Sequence, residues 1–76
     1  MDETIKNICA ALKEEAEAVI GYTDKIIATT QSEGMESATQ RFEMIRLDEV
    51  EHIQNLTLEL TKLMSETVAD GGEGDE

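Results

Sequence analysis

Two stripes of mostly aliphatic residues run along this chain, and one short glycine-bearing segment separates them. The first holds Ile5, Ile8, Cys9, Leu12, Ala16, Val19, Tyr22, Ile26 and Ile27; the second holds Phe42, Ile45, Ile53, Leu56, Leu60, Leu63 and Met64. Their intervals are built from threes and fours, the repeat that gathers side chains on one face of an α-helix. No proline interrupts either stripe, and strand-like alternation is missing. The pattern predicts an all-α chain with a first helix over about 3–29, a turn over about 30–37 and a second helix over about 38–68. Gly34 supplies the positive φ that a helix C-terminus often uses. Ser37 followed by Gln40 fits a capping box, and Met35 fits the entry contact of a staple. Gly71 and Gly72 end the second helix, and the acidic, Gly-rich tail over 70–76 is expected to be disordered. Helices joined by so short a turn pack antiparallel.

One such hairpin has a single seam and nothing to cover its outer flanks. The chain is 76 residues long, with one Phe, one Tyr and no Trp. A domain near this size buries only about 60% of the surface of its unfolded chain. Pairing with a second copy is the expected remedy.

The formal net charge is −12. That sign argues against nucleic acid and anionic membranes as partners and favours cations. No apolar run approaches the ~20 residues that span a bilayer. Asp2 and Glu3 stand where a signal peptide would carry basic residues. The single cysteine, Cys9, has no partner for an intrachain disulfide, and a reducing cytoplasm is the expected compartment. Cys9 is expected to be buried and inert.

The informative positions are those that break the stripes. On the first helix one seam reads Ile8, Leu12, Glu15, Val19, Tyr22, Ile26; on the second it reads Phe42, Ile45, Glu49, His52, Leu56. A carboxylate in an apolar row is costly unless it is protonated, paired or metal-bound. Glu49 and His52 stand at i and i+3, so both side chains leave the same helix face and can share one ion. Glu15 and Glu49 have their midpoint at position 32, inside the predicted turn, and therefore face each other in an antiparallel hairpin. One hairpin then offers two carboxylates and one imidazole. A twofold-related copy doubles this to the ligand set of a di-iron carboxylate four-helix bundle: a Glu from each of two helices and Glu-x-x-His from each of the other two. Taken alone, Glu15 reads equally as a solvated residue at a stripe edge, and His52 as a satisfied core histidine. The conjunction of the three favours metal.

Tyr22 lies two turns beyond Glu15 on the same seam. It reads either as core filling or as a group near the site, hydrogen-bonding a ligand or donating an electron to a redox metal. Glu14, Glu17 and Glu51 lie beside the seam. They read as a solvated face, or as residues that guide cations inward or hold a second, weaker ion. Met1, Met35, Met44 and Met64 read as core or turn residues.

The run Glu14-Glu15-Ala16-Glu17-Ala18-Val19 followed by Tyr22, with Asp48-Glu49-Val50-Glu51-His52 after Arg46, resembles the encapsulated ferritins. These are half-length, two-helix members of the ferritin-like group. The resemblance covers roughly residues 14–24 and 41–52. It implies hairpins that dimerise into a ferritin-like four-helix bundle, dimers that join into a ring-shaped decamer, and iron bound and oxidised at the dimer interface. It implies Glu15, Glu49 and His52 as iron ligands, Tyr22 beside them, and Glu14 and Glu17 as outer residues for metal entry or calcium. It also implies a partner, an encapsulin shell that holds the oxidised iron. Gly21 stands where the family carries a Trp, and residues 70–76 are Gly and acid where the family carries a hydrophobic shell-docking peptide.

Three functions compete on these residues. The leading expectation is a ferroxidase, with Fe(II) oxidised between paired Glu15, Glu49 and His52. The second is a site that holds Zn(II), Mn(II) or Ca(II) without turnover. The third is a metal-free helical oligomerisation module, in which the polar residues would merely weaken the assembly.

Overall fold

The computed structural model describes residues 3–75, and side chains at residues 3–66. Helix α1 spans Glu3–Thr30 and helix α2 spans Glu36–Asp75. They pack against each other as one elongated antiparallel hairpin, 64 × 15 × 15 Å. The all-α class and the helix pair are as the stripes predict. The sequence places the end of the second helix near residue 68, whereas the helical trace continues to Asp75. The side chains of 67–76 lie outside the described residues, and the expectation for the tail falls there.

The connection is shorter than the sequence suggests. At the end of α1 the Gln31 amide still bonds the Ile27 carbonyl (3.3 Å), while the Ser32 amide bonds Thr29 (3.1 Å) in a tightened last turn. Gly34 then adopts φ 78°. This left-handed step turns the chain, and α2 starts at once. The Thr39 amide bonds the Met35 carbonyl at 2.9 Å, so Met35, not Ser37, occupies the capping position. Ser37 lies inside the first turn of α2, and the expected capping box is displaced because one glycine completes the reversal early.

Hydroxyls close the turn end of the hairpin. The Thr29 hydroxyl donates to the Lys25 carbonyl (3.0 Å) and accepts from the Thr39 hydroxyl across the seam (2.7 Å). Deeper in the seam the Tyr22 and Phe42 rings meet at a centroid distance of 6.0 Å, tilted by 41°. Next, Arg46 Nη1 donates to the Thr23 hydroxyl (3.1 Å), which itself donates to the Val19 carbonyl (2.7 Å).

The core is thin. Among the described residues only Ile5 and Ile26 are buried hydrophobics. Cys9 is exposed, contrary to expectation. Ile27, Ile45 and Met64, assigned to the stripes, are also exposed. The reason is geometric. A pair of helices covers a narrow arc of each, so a residue at the stripe's edge points past its neighbour into solvent.

Candidate metal centre

Glu15 sits midway along α1, and Glu49 and His52 sit one turn apart on α2. The antiparallel register brings them to one level. His52 Nδ1 lies 3.0 Å from Glu15 Oε2 and 3.5 Å from Glu49 Oε1. One potential ligand atom from each residue falls within 4.8 Å of the other two. Donors held about 2.1 Å from one ion are separated by roughly 3–4 Å, so small side-chain rotations suffice for all three to reach a shared ion. Among the described residues this is the one grouping of three or more His, Cys, Asp or Glu side chains at such distances.

The donor set has a definite chemical character. Two carboxylates and one imidazole suit first-row divalent ions, and the hard oxygens also suit a trivalent product. The two carboxylates carry the charge that such an ion requires. Three donors leave open coordination positions. The side chains of Glu15 and Glu49 are 23% and 20% exposed, and that of His52 is 54% exposed. The site therefore opens on one flank of the hairpin, where further ligands can approach.

Tyr22 packs on Phe42, and Lys25 Nζ stands 5.2 Å from the centre of its ring. Its described contacts are with these two residues, two turns from Glu15 towards the hairpin turn. Glu14, Glu17 and Glu51 are exposed and stand outside the ligand grouping.

Two features escaped the sequence reading. The Arg46–Thr23 link joins the helices, although both residues are polar and neither belongs to an apolar stripe. Large hydrophobics also stand open: Ile20, Leu47 and Leu58 are 63%, 59% and 69% exposed, and Met44, expected in the core or a turn, is 68% exposed within α2. The signal for Ile20 was available, because Ala16, Ile20, Thr23 and Ile27 follow one another at intervals of four, three and four.

No family model, curated protein or solved structure matches this chain.

Proposed function

We propose that this chain is a ferroxidase whose Fe(II) substrate binds between two hairpins. The observation that carries the reading is the convergence of Glu15, Glu49 and His52 across the hairpin, within 4.8 Å. A second copy, placed against the open flank by a twofold axis, doubles the ligands and completes a four-helix bundle. Two Fe(II) ions would occupy the doubled set. Each gives up one electron, and dioxygen takes the two electrons with two protons to leave hydrogen peroxide and two Fe(III). The chain's own part is to hold the ions close together, to leave positions open for the oxidant and to stabilise Fe(III) with carboxylate oxygens. The resemblance to encapsulated ferritins supports the same assignment; Tyr22, which the resemblance implies lies beside the iron, here packs on Phe42 two turns from Glu15.

The test is anaerobic titration of Fe(II) into metal-stripped protein, followed by air. The expected result is one iron per chain by native mass spectrometry and ferric absorbance that rises faster than in a protein-free blank. Stoichiometric binding without acceleration would replace the ferroxidase by a non-catalytic metal site. No stoichiometric iron at all would overturn both.

A further inference from the structure

The apolar seam of this hairpin does little to fix its own register. Among the described residues only Ile5 and Ile26 are buried hydrophobics, and apolar contacts are non-directional. Aliphatic faces slide or roll past one another at small cost, whereas a hydrogen bond weakens steeply once its geometry is lost. A slide by one residue moves a helix about 1.5 Å, yet a binding constellation has to be held within about 0.5 Å. Directional links between α1 and α2 therefore decide whether Glu15 meets His52.

Two side-chain links stand on the turn side of the metal centre. Thr39 donates to Thr29 beside the turn, where the chain itself already joins the helices. The other link lies next to the ligands. Arg46 Nη1 donates to Thr23 Oγ1 at 3.1 Å, and that hydroxyl donates to the Val19 carbonyl at 2.7 Å. The two bonds run from a side chain of α2 into the backbone of α1. Arg46 is one turn before Glu49, and Val19 is one turn after Glu15. Arg46, Thr23 and Val19 are all half-buried.

The choice of partner is informative. The chain has 18 Asp and Glu residues, yet among the described residues no carboxylate forms an ion pair with Arg46. An i,i+3 pair with Glu49 would occupy one of the three candidate ligands. Arg46 instead bonds a neutral hydroxyl of the facing helix, and Glu49 is left to His52.

We propose that Arg46 and Thr23 are positioning residues for the metal centre. Their clasp holds α2 at the height and rotation that set Glu49 and His52 against Glu15. The inference rests on the metal-binding part of the proposed function. A guanidinium has no acceptor atom, so Arg46 acts on the ligands through the helices and not on the ion.

The test is titration of Co(II) alone into the metal-stripped full chain, read by visible absorbance and native mass spectrometry, below the melting temperature of every variant. Arg46→Met and Thr23→Val are each expected to weaken Co(II) binding by at least about tenfold, the usual effect of losing a group behind metal ligands. They should also shift the Co(II) absorbance band, which reports the ligand set. The double variant should lose no more than the worse single variant, because both changes open the same clasp. Thr23→Ser keeps the hydroxyl and should bind like wild type. Thr39→Val removes a helix-to-helix bond at the turn and should also bind like wild type, which separates positioning from stability. Wild-type affinity in either Arg46→Met or Thr23→Val, additive losses in the double variant, or an equal loss in Thr39→Val would overturn the proposal and leave the metal centre standing. A wild type that takes up no Co(II) would overturn both.

Discussion

The Nδ1 atom of His52 stands 3.0 Å from Oε2 of Glu15, although 37 residues separate the two in the chain. This contact ties the middle of α2 to the middle of α1. Glu49 joins it at 3.5 Å. Three polar side chains thus interrupt a seam that is otherwise mostly apolar, at one level and open to one side. Under the proposed function, these three side chains are half of a metal site.

Loss of a ligand should be felt at once. Glu15→Ala, Glu49→Ala and His52→Ala are each expected to slow iron oxidation by at least about tenfold, since even changes behind the ligands of metal sites cost that much. Stopped-flow ferric absorbance on helical, assembled variants checks this. Wild-type rates in all three would remove the ferroxidase reading.

Metal and apolar replacement should act in opposite directions. A divalent ion at one hundred times its Kd is expected to add about 2.7 kcal/mol to stability. In chelator, the Glu15→Leu/Glu49→Leu/His52→Leu variant is expected to exceed wild type by about 1 kcal/mol, because the polar groups no longer sit between apolar neighbours. The partial exposure of the site keeps that gain at the low end. Thermal melts of both proteins, with and without Mn(II), give the comparison. A wild type indifferent to metal would contradict the site.

The turn rests on one residue. Gly34 has φ 78° and nothing within 4 Å of a built Cβ. Gly34→Ala therefore meets no clash with the rest of the protein, only the backbone cost of the left-handed region, about 1–2 kcal/mol. Urea denaturation should show a lower midpoint with an unchanged slope. An unshifted midpoint would mean that the turn adopts another conformation.

Thr39→Val keeps the shape of the side chain and removes the hydroxyl that bridges to Thr29 at 2.7 Å. The expected loss is about 1 kcal/mol, the usual net value of one hydrogen bond. The same substitution at the exposed Thr57 should change stability little, and the difference between the two variants reports the contacts of the Thr39 hydroxyl, to Thr29 and to the Met35 carbonyl at 3.0 Å.

The amino-acid sequence by itself determined the helical class, the position of the reversal and the identity of the three candidate ligands. Each follows from a local rule. Intervals of three and four make a helix face, glycine permits positive φ, and Glu49 and His52 share a face because they lie one turn apart on the same helix. The level of Glu15 against Glu49 also followed, because an antiparallel hairpin has only one register once its turn is placed.

Only the tertiary structure decided how much of each stripe is covered. Cys9, Ile27 and Ile45 belong to the helical faces by spacing, yet they are exposed because two cylinders touch along a narrow line. It likewise decided that Met35 and not Ser37 precedes α2, and that Arg46 reaches Thr23. Those outcomes depend on the angle at which one helix faces the other. A one-dimensional pattern records which residues share a face, but the direction of that face is set by what packs against it.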